Sequence, residues 1–145
     1  MLRDDIAAMS RSGKVRTESF VYNALFPVLP GPGQLVVNVN ITNDSDFAIL
    51  ATNLISYSAA GVIVVLPDYY IQLLDTSSGR ILHDQPTHVG NITGTGQLPY
   101  FWPEPYLLKG GGTLAVTLIN PTALAALVNV SLIGYKVFYM SDFRR

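Results

Sequence analysis

The chain has 145 residues, of which 49% are hydrophobic and only 13% charged, with a formal net charge of −1 and no cysteine. Disulfides and thiolate chemistry are excluded, and the length suits one domain with a real core. An average soluble domain carries about 25% charged residues, so this composition marks either an aggregation-prone monomer or a surface that other subunits cover, because obligate interfaces are apolar and poor in charge.

The charge is unevenly placed. In residues 1–16, Arg3, Arg11, Lys14 and Arg16 outnumber Asp4 and Asp5, and Arg144 and Arg145 close the chain. Residues 17–143 hold more acidic than basic side chains. Basic ends on an acidic body leave no basic stripe for nucleic acid. They suit termini that reach onto an acidic neighbour, such as another copy. Met1-Leu2-Arg3-Asp4-Asp5 lacks the apolar run of a signal peptide. The longest apolar run, Ala59 to Leu66, is far short of the ~20 residues that span a bilayer. The expectation is a protein made in a cytoplasm, with neither membrane nor nucleic acid as partner.

Residues 1–17 are small, polar and charged and read as a flexible arm, with the folded domain in 18–145. Glu18 to Phe26 is a first strand, ended by Pro30-Gly31-Pro32-Gly33. Leu35, Val37, Val39 and Ile41 alternate with Asn38 and Asn40 in a second strand. Phe47 to Tyr57 is apolar on both faces and therefore central; Val62 to Leu66, short and β-branched, reads as a buried strand. Tyr69 to Leu74 and Arg80 to His83 flank the turn Asp75-Thr76-Ser77-Ser78-Gly79 as a hairpin. Residues 84–97 read as loop, followed by an aromatic patch set among prolines, Leu98 to Pro105, and a short strand, Tyr106 to Lys109.

The last stretch, Gly112 to Met140, reads as a long hairpin. Leu114, Val116 and Leu118 share one face of its first arm, and Val128, Val130 and Leu132 alternate in the second. The parity changes at Ile133-Gly134, which predicts a bulge. Roughly eight strands without a convincing helix make an all-β, antiparallel two-sheet sandwich, and the strand count suits a jelly-roll-like arrangement.

Few residues carry chemistry. His83, Asp84 and His88 are too few for a zinc site, and Asn43, Asp44 and Asp46 make an Asx turn more readily than a calcium loop. Gly90 to Gly96 lacks the spacing of a phosphate loop. Asn40, Asn43, Asn91 and Asn129 match the glycosylation pattern, which has no use without secretion. No Gly-x-Ser-x-Gly elbow is present, and Glu18 and Glu104 are the only glutamates, so no enzyme, metal or cofactor is expected. Tyr100, Phe101 and Trp102 stand out, because three consecutive aromatics of a strand cannot all face one core. They fit a protein interface, a lid over the sandwich end, or a platform for sugar rings. The sugar platform leaves a carbohydrate-binding module open.

The order of short motifs is itself informative: the Phe47 strand, Asp75-Thr76-Ser77-Ser78-Gly79-Arg80, Gly94-Thr95-Gly96 with Pro99, Pro105-x-x-Leu108, Leu114-x-Val116-x-Leu118-x-Asn120, and Leu132-x-Gly134-Tyr135-Lys136-x-Phe138. Over roughly residues 18–140 this order resembles small virion proteins of tailed bacteriophages, of the head decoration or cement type. The resemblance implies a β-sandwich on the outer capsid surface, seated on the major capsid protein, often as a homotrimer, with terminal arms reaching neighbouring subunits. Similar sandwiches occur in collars, connectors and fibres. The interface residues expected from arms and aromatic patch together are Arg3, Arg11, Lys14, Arg16, Tyr100, Phe101, Trp102, Arg144 and Arg145.

Overall fold

The computed structural model describes Ala8, Arg11 and residues 13–65, 67–95 and 98–139. Most of the expected arm, with Arg3, and the basic C-terminus, with Arg144 and Arg145, lie outside the described residues. The expected two-sheet antiparallel sandwich forms. In chain order the elements are β1 (Val15–Leu29), β2 (Gly33–Asn40), β3 (Asp46–Ser58), β4 (Tyr70–Asp75), β5 (Arg80–Ile81), β6 (Thr87–His88), a helical turn α1 (Val89–Ile92), β7 (Tyr100–Leu108), β8 (Thr113–Asn120) and β9 (Ala126–Tyr139). One sheet runs β1-β9-β3-β7; the other runs β2-β8-β4-β5, with β6 also on β4.

Alternation decides which residues meet between the sheets. Phe26, Phe47, Ile71, Leu73, Leu118 and Leu132 are fully buried there, each contributing about 1.5–3 kcal/mol relative to an exposed position. Tyr22 meets Phe47 edge to face, with ring centroids 4.8 Å apart.

The closing hairpin expected over Gly112 to Met140 does not form. β8 pairs with β2 and β4, whereas β9 pairs with β1 and β3, so its two arms lie in opposite sheets. Each arm has one apolar face, and facing each other across the core buries both. Asn120 makes the corner possible. It is fully buried; its Oδ1 accepts from Thr122 N (3.0 Å) and Thr122 Oγ1 (2.6 Å), and its Nδ2 donates to Leu124 O (2.8 Å).

Four further expectations are corrected. β1 begins at Val15, inside the segment read as an arm, so Arg16 is a strand residue paired with Phe138. β7 extends through Pro103 and Pro105, but its ladder with β3 is interrupted between Phe101 and Tyr106, so neither proline has to donate to it. Residues 84–97 contain β6 and α1. Val62, Ile63 and Val65 are largely exposed. The described residues of their segment, set between Gly61 (φ +80°) and Pro67, join β3 through an isolated bridge from Ile63 to Tyr57 and a bond from Val62 N to Ser58 Oγ, without forming a strand.

The irregularity near Gly134 is real but differently carried. Along β9 the buried parity continues through Leu132, Gly134 and Lys136. The extra residue sits on β3, where Ile49 faces Gly134, Ala51 faces Ile133, and Leu50 is left unopposed. Val137 is buried too, but on the outer side of the sheet, in a small cluster with Val15, Ala48 and Leu107.

Candidate interaction surfaces

The strands run between two ends of opposite chemistry. At one end gather the described residues of the connections 30–32, 59–69, 93–99 and 121–125, whose sequence carries Asp68 as its only charged residue. Val62 is 64% exposed, Val65 and Leu98 74%, and Leu124 76%. Glycine and proline set these segments proud of the sheets: Gly31 approaches so close to Leu124 O that a Cβ there would lie 2.5 Å from it. A depression of about 510 Å³ between the connections is lined by Leu54, Ile63, Val65, Pro67 and Gly94. Sequence reasoning missed this end because a β-branched run reads equally as core. Nothing in the sequence argued against burial, since the five residues between Gly61 and Pro67 are enough for a strand.

The opposite end holds the charges. Lys136, only 8% exposed, donates to Thr42 Oγ1 (3.2 Å), lies 3.6 Å from Asp44 Oδ2 and sits 4.2 Å from the centre of the Phe20 ring. The hydroxyl of Thr42 donating to Asp44, with help from Ser45 and Lys136 against desolvation, holds that carboxyl below its ordinary range. Asp46 accepts from Gly110 N (2.9 Å) and Tyr139 Oη (3.0 Å). Burial first, and then that bond, push the Tyr139 phenol up. Asp44 and Asp46 are thus turned to their own chain.

Of the terminal cations, Arg11 and Lys14 are exposed. Arg16 is engaged at home: its Nη1 meets Glu18 Oε2 at 2.8 Å, and its guanidinium lies 4.4 Å from the centre of the Phe138 ring. The aromatic triplet splits as alternation demands. Phe101 points outward, 67% exposed. Trp102 packs against the main core, and its Nε1 donates to Thr52 Oγ1 at 3.2 Å; that hydroxyl in turn donates to Ile92 O. Tyr100 turns inward over a small space shared with Leu73, His83 and Ile92. Phe101 is therefore open to solvent, while Trp102 closes the sandwich edge. Beside them a cleft of about 480 Å³ is lined by Arg80, Trp102, Glu104, Pro105 and Tyr106.

The two histidines are structural. His83 Nε2 accepts from Leu73 N at 3.0 Å, which leaves Nδ1–H to donate to Gln85 O at 2.9 Å. His88 Nδ1 accepts from Gly90 N, and its Nε2–H reaches Asp68 Oδ1, both at 3.1 Å. Among the described residues, no three His, Cys, Asp or Glu side chains gather as a metal site would require, and no helix is long and apolar enough to cross a membrane.

No protein-family model matches the chain, and neither does any curated protein. Among solved structures, it is similar to a chain described as "Cyanophage Pam1 capsid asymmetric unit", with 13% identity and a TM-score of 0.42, covering 85% of this chain and 86% of that one.

Proposed function

We propose that this chain is a structural virion protein of the decoration or cement type, which stands on the outer surface of a capsid shell by its apolar end, beside copies of itself. The observation that carries the reading is the difference between the two ends. Four connections holding one charged residue, with Val62, Val65, Leu98 and Leu124 largely exposed, make the kind of surface left when a permanent partner is removed. The strand order supports it. Sheets β1-β9-β3-β7 and β2-β8-β4-β5 exchange successive strands across the core, the jelly-roll pattern of two Greek keys used by viral capsid and lectin domains; fold analogy alone assigns no function. The role needs no catalytic step and no cofactor.

Val65→Asp tests it. Val65 is 74% exposed, so the variant should fold with stability within about 0.5 kcal/mol of wild type. Binding to capsid shells stripped of this protein should fall at least tenfold, about 1.4 kcal/mol. Wild-type binding by the variant overturns the reading. Removal of residues 1–14, which stops short of β1, should weaken shell binding through loss of tethered contacts and leave the melting temperature unchanged. A collapse of melting would place that segment in the fold.

A carbohydrate-binding reading has one observation in its favour, the cleft of Arg80, Trp102, Glu104 and Tyr106, in which aromatic faces and charged groups meet. Glycan-array binding abolished by Glu104→Ala would support it. Silence across a broad array by the folded protein removes it.

A further inference from the structure

The outer face of the sheet β1-β9-β3-β7 is unlike an ordinary solvated sheet. Antiparallel sheets with one wet side alternate apolar-in with polar-out. Here the outward positions of β1 include Val21 and Leu25, 45% and 53% exposed, while β9 offers Leu127 and Tyr135 and β7 offers Phe101. Between the level of Ser19, Tyr135 and Ala48 and the level of Leu25, Asn129 and Ile55, no outward position of β1, β9 or β3 is charged. The polar members of the face are neutral and sit in a row across its middle. Asn23 Oδ1 accepts from Ser131 Oγ (2.7 Å) and from Asn129 Nδ2 (3.5 Å), and Asn53 stands opposite Ser131 on β3. The row is incompletely satisfied: the side-chain oxygens of Asn53 and Asn129 are shut off from solvent without a hydrogen-bond partner.

We propose that this face takes a second copy of the same chain, sheet against sheet, about a two-fold axis through the Asn23–Ser131–Asn53 row, with Asn129 beside it. Three arguments select a copy over a foreign partner. The area is right: at about 3.3 Å per residue along a strand and about 4.8 Å between strands, the 15, 14, 13 and 9 residues of β1, β9, β3 and β7 cover on the order of 800 Å², against about 800 Å² per partner in a stable interface. The face is self-complementary, because asparagine and serine each both donate and accept. A two-fold copy therefore supplies an amide donor for the orphan oxygens after a turn about the last side-chain torsion, which is soft. Lastly, with no charge on it, the face meets its own image without repulsion, and offers nothing to a partner selected by charge. The same patch on both partners makes the contact isologous. It closes on two copies, which replaces the three-fold grouping that the resemblance implies with a two-fold one.

The inference stands apart from the capsid reading and is measured without shells. Light scattering on the full chain at tens of micromolar should report twice the 15.8 kDa chain mass, at low and at high salt alike, because apolar contacts are not screened. Leu25→Asp, at an exposed position, should weaken self-association at least about tenfold and give a monomer with an unchanged circular dichroism spectrum. Val65→Asp, at the loop end, should remain a dimer. A monomeric or trimeric wild type, or a Leu25→Asp chain that still pairs, overturns the inference. A dimer that ignores shells leaves it standing and removes the capsid role; a monomer that binds shells does the reverse.

Discussion

Gly134→Ala is expected to destabilise the protein by about 3 kcal/mol or more, at the upper end of what overpacking costs. The reason is local and geometric. Gly134 faces Ile49 where Leu50 bulges out of β3, and the bulge brings the β3 backbone onto β9. A Cβ on residue 134 would lie 1.8 Å from Ala48 O and 3.2 Å from Ile49 Cα. Both obstacles are main chain in the middle of the sheet, so no side-chain rotation relieves them; β3 or β9 must move. Gly61→Ala separates this from the ordinary penalty for a glycine. Gly61 has φ +80° and nothing within 4 Å of the new methyl, so only left-handed backbone strain applies, about 1–2 kcal/mol. Chemical denaturation of the two variants checks the ranking. Equal losses would mean that the close approach at Gly134 is relieved at no cost.

This glycine also shows how far the sequence reaches. A glycine in a β-strand flags an unusual approach of backbone, and Gly134 does mark one, but a bulge belongs to two strands and its extra residue, Leu50, lies in a run with no turn signal. Period-two alternation located β2, β8 and most of β9, because each has one face on the core; β3 was legible as a run apolar on both faces, and β4 from the turn that follows it. It could not say which strands pair, so β8 and β9, neighbours in sequence, were read as partners although they face each other across the core. The aromatic triplet was legible as a conflict, and alternation resolves it, with Phe101 out and Trp102 in. The exposed end was illegible, since Val62, Ile63 and Val65 read as core by composition. The uncharged outer face of the β1-β9-β3-β7 sheet was invisible for a related reason: it is assembled from outward positions of several strands, and only the registers bring Val21, Leu25, Asn53 and Ser131 onto one surface.

Asp75→Asn is expected to lower stability at neutral pH by about 2 kcal/mol, the scale of hydrogen bonds to a charged group, and to flatten the acid side of the stability curve. Asp75, 3% exposed at the end of β4, joins the two sheets. Its Oδ1 accepts from Ser77 Oγ (2.6 Å) and Ser77 N (3.2 Å), and its Oδ2 accepts from Tyr106 Oη on β7 (2.8 Å). Burial pushes this carboxyl up, but the hydrogen bonds from Ser77 and Tyr106 prevail and hold it below the ordinary value of 3.8. A carboxyl depressed by folding adds stability that is complete above the unfolded value and is lost as pH falls through the folded one. In the wild type, therefore, the contribution fades below about pH 3.8, whereas the amide has no proton to take up. The amide also sets an N–H against donors that all point at residue 75, which is why the variant is weaker where the wild type is ionised. Unfolding free energies measured from neutral pH into acid should start about 2 kcal/mol apart and converge below the ordinary carboxylate value. Tyr106→Phe removes one of the donors and should account for roughly 1 kcal/mol of the difference. Curves that stay parallel into acid would show that the carboxylate charge plays no part in holding the β4–β5 turn against β7.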